Sequence, residues 1–346
     1  MNSNECQPRK AELWSKERKD RTRCFLCHHR CLVHEGRRGL CGVRENRSGV
    51  LYSLNYGKLI SANKDPIEKK PLFHFHPGTL SFSIATAGCN LRCLNCQNHA
   101  ISQWPINNPG MDLPGNYFPP EEIADLAQSQ RCATISYTYT EPTIFLEYAR
   151  DTAIAANNAG LKNVFVTNGY MTPEALDFMG EHLHAANVDI KSADETVMKK
   201  LTGAHAQPVL DNIRKMHSRS IWIEATTLVI PGYNDNDSAL RDIARFLAET
   251  SRDIPWHVSR FHPSYKLPDV RPTPASALKK AYEIGKAAGI RYVYTGNLWG
   301  DENESTFCPS CGKVIISRYG FSIRDLYIKN GKCSHCGESI AGRGLP

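Results

Sequence analysis

One short run of cysteines constrains this chain more than any other feature of its sequence. Cys89, Cys93 and Cys96 stand at C-x3-C-x2-C spacing, directly after the alternating strand pattern of residues 80–85. A loop this tight can close around a metal centre, and a cubane iron–sulfur cluster is usually held by four thiolates. Because the run stops at three cysteines, it predicts a cluster with one iron left open to another ligand.

The remaining cysteines reinforce a metal-binding interpretation of the whole chain. There are thirteen cysteines in 346 residues, and only Cys6 and Cys132 stand outside three groups. No apolar run approaches the ~20 residues of a membrane span, and the N-terminus lacks the apolar core of a secretory signal. We therefore expect a cytosolic protein, in which cysteines serve as metal ligands rather than disulfides.

An N-terminal group contains four cysteines within eighteen residues, at Cys24, Cys27, Cys31 and Cys41. Four cysteines so close together indicate one tetrahedral metal site or one cluster. Their spacing leaves zinc and a second cubane cluster both open, with a slight preference for zinc.

A C-terminal group consists of two C-x2-C-G knuckles, Cys308/Cys311 and Cys333/Cys336, separated by twenty-one residues. A glycine after the second cysteine of each pair lets the backbone turn beneath a metal. This pattern is typical of a zinc ribbon, whose usual role is to stabilise a small β-hairpin module.

Between these groups, strand and helix patterns alternate. Strands are predicted at residues 80–85, 133–137, 163–167, 187–191, 221–229, 256–261 and 290–294. Helices are predicted at about 120–130, 142–158, from 173, 194–201, 208–218, 238–249 and 274–288. Such alternation favours a parallel sheet, and six or seven units fall short of a closed eight-unit barrel. The predicted fold is a partial (β/α)6-type barrel at 79–300, with a metal-binding module at 1–78 and a zinc ribbon at 301–346.

Polar residues follow the predicted strands at their carboxyl ends. The candidates are Glu141, Asn168, Asp189, Lys191 and His262. In parallel barrels these strand ends form one face, which carries the active site. We therefore expect these side chains to surround the cysteine loop. There Glu141 could accept a bond from a ligand amine, and the Asp189–Lys191 pair, on one face of a strand, could meet charged or hydroxyl groups.

The charge of the chain is only mildly basic, at +7. Much of the excess lies in an N-terminal stretch that includes Arg9, Lys10, Arg18 and Lys19. We interpret this stretch as a solvated, partly frayed segment. The charge would tolerate an anionic partner without requiring one.

Taken together, these motifs resemble a known group of enzymes. The cysteine loop in a partial barrel resembles the radical S-adenosylmethionine (SAM) superfamily. Residues 80–265 are similar to the activating enzymes of glycyl radical enzymes, and nearly the whole chain resembles the radical SAM proteins of the AmmeMemoRadiSam system. The motifs behind this resemblance are Asp65-Pro66-Ile67-Glu68-Lys69-Lys70-Pro71-Leu72-Phe73-His74-Phe75, Gly88-Cys89-Asn90, Tyr137 to Thr143, Thr167-Asn168-Gly169, Asp189-Ile190-Lys191, Leu201-Thr202-Gly203, Val229 to Asp235 and Phe261-His262.

The resemblance implies a specific chemistry. The open iron of a [4Fe–4S] cluster would bind SAM, and one-electron reduction would yield a 5′-deoxyadenosyl radical that abstracts hydrogen from a substrate. Asn168, Asp189, Lys191 and His262 would contact SAM, with Glu141 near its amine. The implied partners are a protein substrate, a one-electron donor such as flavodoxin or ferredoxin, and Memo-like and AMMECR-like proteins.

Two positions depart from the activating enzymes. Tyr139 and Thr140 replace the glycines of their Gly-Gly-Glu motif, and Val166 stands where they carry an acidic residue. We therefore expect a different backbone path before Glu141. Two alternatives remain open: radical modification of RNA or a small molecule, and a non-enzymatic iron–sulfur and zinc scaffold that binds nucleic acid or a partner.

Overall fold

The computed structural model describes residues 8–18, 20–298 and 300–346, so that Cys6 and Lys19 lie outside the described residues. The chain divides into two compact units. The first unit contains residues 1–65, 81–184 and 202–204, and the second contains residues 66–80, 185–201 and 205–346. Within the described residues, no helix is both long and apolar enough to cross a bilayer.

The first unit begins with a module of short antiparallel strands. These are β1 Arg9–Lys10, β2 Trp14–Arg18, β3 Arg21–Cys24, β4 Leu32–His34, β5 Arg44–Arg47 and β6 Val50–Ser53. They form two three-stranded sheets, ordered β2–β3–β4 and β1–β6–β5. The expectation of a frayed basic segment is therefore wrong, because backbone pairing fixes it, although Arg9 and Arg18 are exposed as predicted.

The rest of the first unit is a half-sheet covered by helices. The six strands here are β7 Lys58–Leu59, β8 Ser61–Pro66, β9 Leu80–Ala85, β10 Asn116–Tyr117, β11 Thr134–Tyr137 and β12 Lys162–Thr167. Strands β8, β9, β11 and β12 form the half-sheet, whereas β7 and β10 form a separate antiparallel pair. Its helices are α1 His99–Ser102, α2 Trp104–Asn107, α3 Pro120–Ser129, α4 Leu146–Asn158 and α5 Pro173–Met179. Strand β11 pairs in parallel with both β9 and β12, so the carboxyl ends of these three strands lie at one edge.

The second unit repeats this strand–helix rhythm. Strands β13 Ala185–Asp189, β14 Trp222–Val229, β15 Trp256–Arg260 and β16 Val293–Gly296 pair in parallel in chain order. The helices are α6 Glu195–Thr202, α7 Gln207–Ser218, α8 Asp237–Thr250 and α9 Ala275–Ala287. Parallel strands alternating with helices confirm the predicted α/β class.

In the second unit, the bounds of two predicted strands differ from the structure by two residues or more. The strand predicted at 187–191 ends at Asp189, because the Lys191 carbonyl accepts a bond from the Asn234 side chain instead of from a strand. The strand predicted at 290–294 begins at Val293, because the Ile290 amide still bonds to Gly285 at the end of α9. Both errors lie at element boundaries, where local apolar pattern carries the least information.

The C-terminal part of the second unit is a small β module. Strands β17 Thr306–Phe307, β18 Val314–Tyr319 and β19 Ser322–Leu326 form one antiparallel sheet, followed by the hairpin β20 Ile328–Lys329 and β21 Lys332–Cys333. Its core packs against Phe73, Tyr292 and Tyr294 of the same unit. The domain boundaries predicted at residues 78 and 300 stay predictions.

Candidate functional site

The loop of Cys89, Cys93 and Cys96 follows β9 directly, as predicted. It begins at Gly88, whose φ of +108° is one that residues with a side chain rarely adopt. A Cβ at Gly88 would lie 2.7 Å from Val43, so the loop also needs a glycine for space. The Leu91 amide donates to the Cys89 sulfur at 3.4 Å, and the Cys96 sulfur lies 3.2 Å from the Ser102 hydroxyl.

Two asparagines stand beside the first cysteine. The Asn168 side-chain amide donates to Asn90 Oδ1 at 2.8 Å and reaches the Cys89 sulfur at 3.9 Å. Asn90 Nδ2 is buried and has no hydrogen-bond partner among the described residues. A buried donor is rarely left unpaired, and thiolate-bound clusters accept hydrogen bonds at their sulfurs. This donor set therefore fits an anionic iron–sulfur cluster on the three cysteines.

Glu141 connects the two loops that follow β11 and β12. Its carboxylate accepts bonds from Thr143 N at 3.1 Å, Thr143 Oγ1 at 2.6 Å, Thr167 Oγ1 at 2.7 Å and Asn168 N at 2.8 Å. Burial raises the pKa of Glu141, against the hydrogen bonds that favour its charged form. Glu141 thus holds Asn168 in place, a role that the sequence analysis missed. A contact between Glu141 and a ligand amine stays a prediction.

Tyr139 occupies an unusual backbone position just before Glu141. Its φ is +60°, a conformation that glycine adopts at no steric cost. The Tyr139 hydroxyl donates to Asp65, and its carbonyl accepts from Asn98 Nδ2 at 2.8 Å. These side-chain bonds hold a non-glycine residue in a left-handed turn. The expected departure from the activating enzymes' backbone path stays untested.

In the second unit, Asp189 and Lys191 form an ion pair at the end of β13. Lys191 Nζ lies 2.8 Å from Asp189 Oδ2, with 15% and 31% of the two side chains exposed. Asn234 fixes the adjoining turn, since it donates to the Lys191 carbonyl at 2.8 Å and accepts from the Ile230 amide at 2.6 Å. The second unit thus brings Asp189 and Lys191 together. His262 is exposed in the loop after β15.

The C-terminal cysteines form a compact quartet. Among the described residues, theirs is the one group of metal-ligating side chains whose ligand atoms all lie within 4.8 Å of one another. The sulfurs of Cys308 and Cys336 are 3.6 Å apart, and those of Cys311 and Cys333 are 3.9 Å apart. Four thiolates at ~2.3 Å from one zinc ion would be about 3.8 Å apart. The quartet can therefore hold a single metal ion.

Comparison with known proteins decides the family. The family model of the radical SAM superfamily matches residues 83–247. The chain is also 23% identical over 230 residues to a pyruvate formate-lyase-activating enzyme of Staphylococcus aureus (strain USA300), covering 60% of this chain and 88% of that enzyme. Residues 83–247 of this chain form a radical SAM domain.

Two further likenesses extend the comparison of this radical SAM protein. An uncharacterised protein of Methanocaldococcus jannaschii is 44% identical over 335 residues, which is 96% of this chain and 98% of that protein. The crystal structure of Streptococcus suis SuiB bound to S-adenosylmethionine matches with a TM-score of 0.49 at 13% identity, covering 66% of this chain and 52% of that chain. The family match at residues 83–247 confirms the predicted radical SAM domain, whereas membership of the AmmeMemoRadiSam system stays a prediction.

Proposed function

We propose that this radical SAM protein cleaves SAM at a [4Fe–4S] cluster on Cys89, Cys93 and Cys96 and uses the radical to modify a protein. Superfamily membership supports SAM cleavage in general. When bound, the cluster supplies the electron that converts SAM to a 5′-deoxyadenosyl radical, which abstracts hydrogen. The observation that carries the proposal is the buried side-chain nitrogen of Asn90, next to Cys89, which has no hydrogen-bond partner among the described residues, while the side-chain oxygen of Asn90 accepts from Asn168.

The chain's own residues would bind and orient SAM. We assign the Asp189–Lys191 pair to its charged and hydroxyl groups, because the pair is only partly exposed and its turn is fixed by Asn234. His262 would contact the ribose or base. Glu141 would hold Asn168 and lie near the methionyl amine. Such positioning is the protein's main contribution when a cofactor performs the difficult step.

A protein substrate is favoured by the names of the relatives. One is the pyruvate formate-lyase-activating enzyme, and another is an isethionate sulfite-lyase activating enzyme of Oleidesulfovibrio alaskensis, 27% identical over 124 residues. Both names describe activation of another enzyme. We extend this to a protein substrate here, with a glycyl radical as the candidate product. Flavodoxin or ferredoxin would donate the electron in the cytoplasm, and Memo-like and AMMECR-like proteins are proposed partners.

The first test is SAM cleavage by anaerobically reconstituted protein. With dithionite, the wild-type protein should release 5′-deoxyadenosine, and Cys93→Ala should abolish the release. Cys132→Ala is the matched control, because Cys132 is buried and lies outside the three cysteine groups. Absence of 5′-deoxyadenosine from wild-type protein with a full iron and sulfide content would refute the proposal.

RNA is a second candidate substrate, favoured by one surface of the C-terminal module. Tyr319, Phe321 and Tyr327 are exposed there, and the Arg324 guanidinium lies 4.5 Å from the Tyr319 ring centre. Exposed aromatic rings beside basic groups can stack on unpaired bases. Transfer of deuterium into 5′-deoxyadenosine from a labelled RNA, and not from a labelled protein, would favour this alternative.

A further inference from the structure

The three cysteine groups differ in the distances between their sulfur atoms, and their sequence spacing does not show this difference. Among described residues, only the C-terminal quartet has all its sulfurs within 4.8 Å of one another, close enough to bind one zinc ion. Neither the N-terminal quartet (Cys24, Cys27, Cys31 and Cys41) nor the Cys89 loop meets this limit. A cubane core stands between its thiolates and holds them farther apart than one metal ion does. In the distances between its sulfur atoms, the N-terminal quartet therefore resembles the loop of Cys89, Cys93 and Cys96 more than the C-terminal quartet.

The N-terminal quartet also surrounds a cavity of its own. All four cysteines line it, together with apolar side chains that include Leu26, Val33 and Ile144. The centre of a water-sized sphere can occupy about 20 Å³ within this cavity. Four thiolates bound ~2.3 Å from a zinc ion leave no room for such a sphere between them. The cavity therefore has room for a bound group larger than one metal ion.

The β-hairpin of strands β3 and β4 carries three of the four cysteines. Cys24 ends β3, and its amide donates to the carbonyl of Cys31 just before β4. Cys27 lies in the connecting loop, and Cys41 belongs to a separate loop before β5. Arg44 donates to the Cys24 sulfur at 3.2 Å, the kind of hydrogen bond that tunes the potential of an iron–sulfur cluster.

The same module contacts the loops that carry Cys89 and Asn168. Arg92 donates to the Leu40 carbonyl, next to Cys41, and also to the Cys89 carbonyl at 3.0 Å. A ring nitrogen of His29 lies 2.8 Å from the Asn90 carbonyl. Short covalent and hydrogen-bonded connections therefore link the N-terminal cavity to the first cysteine of the cluster loop.

We propose that Cys24, Cys27, Cys31 and Cys41 hold a second [4Fe–4S] cluster, which relays single electrons to the cluster on the Cys89 loop. A reduced carrier of the flavodoxin or ferredoxin class gives one electron to the N-terminal cluster. Transfer of that electron to the Cys89 cluster returns the N-terminal cluster to its oxidised state. No bond forms or breaks, and no proton moves. The first part of the proposal is independent of SAM cleavage, whereas the relay rests on the proposed function.

Metal analysis of a variant without the Cys89 cluster tests the second cluster directly. In the full chain carrying Cys89→Ala, Cys93→Ala and Cys96→Ala, reconstituted with iron, sulfide and zinc, about four iron and about one zinc per chain should remain. Dithionite should produce the EPR signal of a reduced [4Fe–4S] cluster. No bound iron, with about two zinc per chain, would overturn the proposal.

Wild-type protein and a matched variant complete this test. Wild-type and Cys132→Ala proteins should each hold about eight iron. Removing two N-terminal ligands by Cys27→Ser with Cys31→Ser should lower iron to about four and leave zinc unchanged. Because the triple variant cannot cleave SAM, its iron content separates failure of the second cluster from failure of the proposed function.

The relay has a spectroscopic test of its own. Wild-type protein and the Cys27→Ser/Cys31→Ser variant would be mixed with reduced flavodoxin and freeze-quenched, and the EPR signal of the Cys89 cluster followed over time. We expect the fast phase of its reduction to be lost in the variant and kept in Cys132→Ala. Equal rates in wild type and variant would overturn the relay.

Discussion

Replacing Glu147 with glutamine should destabilise the first unit by about 3–5 kcal/mol. Glu147 forms an ion pair with Arg44, and each side chain is only 1% exposed. Its Oε1 also accepts from the Glu12 amide at 2.8 Å, and Arg44 donates to the Glu12 carbonyl at 3.0 Å. The pair therefore connects the N-terminal module to α4 within the first unit.

The expected size follows from burial. Breaking a buried pair by removing one charge costs about 3–5 kcal/mol, because the other charge is left uncompensated. In the described part of the chain, Glu147 Oε2 and Arg44 Nε have no hydrogen-bond partner, and without the Glu147 charge Arg44 keeps only its bonds to the Glu12 carbonyl and the Cys24 sulfur and to the glutamine that replaces Glu147. Against a typical stability of about 5–15 kcal/mol, this loss would be a large fraction.

Anaerobic urea denaturation of metal-loaded protein measures the loss in the free energy of unfolding. Hydrogen exchange of the backbone amides of residues 21–53 shows whether the loss lies in the N-terminal module. The matched control is Glu174→Gln, because Glu174 pairs with Arg30 at 2.8 Å but both side chains are at least 40% exposed. That surface pair should contribute at most about 1 kcal/mol. Glu147→Gln with no greater effect than Glu174→Gln would refute the reasoning. Arg44→Met with Glu147→Leu should cost less than the two single changes added together.

Three further predictions concern the second unit. Cys311→Ser should remove about one zinc per chain, measured by metal analysis, and loosen the C-terminal module. Burial lowers the pKa of His74 to about 4, so the contribution of His74 to the free energy of unfolding is greatest above pH ~6.5. This contribution should fall by about 2 kcal/mol between pH 7 and 5. In urea titrations, His74→Gln should therefore reduce the dependence of the free energy of unfolding on pH. Gly285→Ala should cost about 1–3 kcal/mol in the same titrations, because its Cβ would lie 2.9 Å from Trp256.

The sequence predicted the repeating part of the fold well. The strand at 80–85 has the predicted bounds, and the helix from Pro120 ends within one residue of its predicted end. Both elements bury side chains in a regular period, which is the signal that sequence patterns carry best. The N-terminal segment lacked such a period, since its strands are short and largely exposed, and backbone pairing could not be foreseen from residue types.

The sequence predicted where two candidate residues follow their strands, but it did not predict their contacts. Glu141 and Asn168 were placed after their strands correctly, yet their bond to each other at 2.8 Å and the link from Asn168 to Asn90 depend on strand register. Nothing in a single sequence fixes which loops meet. A short polar residue after a buried strand indicates that a site exists, whereas its partners follow only from the fold.

Metal identity shows most clearly why spacing alone is insufficient. Both the N-terminal and the C-terminal quartets begin with C-x2-C, and for the N-terminal group the spacing left both zinc and a cluster open, with a slight preference for zinc. In the C-terminal knuckles, Gly312 and Gly337 at φ +71° and +80° close each turn, so that four sulfurs converge on one point. In the N-terminal group, Cys24 ends β3 and Cys27 lies in the loop that joins β3 to β4, and no glycine follows Cys27 to close its turn. If the proposed second cluster is present, the backbone that carries the thiolates, more than their number, selects between one ion and a cluster.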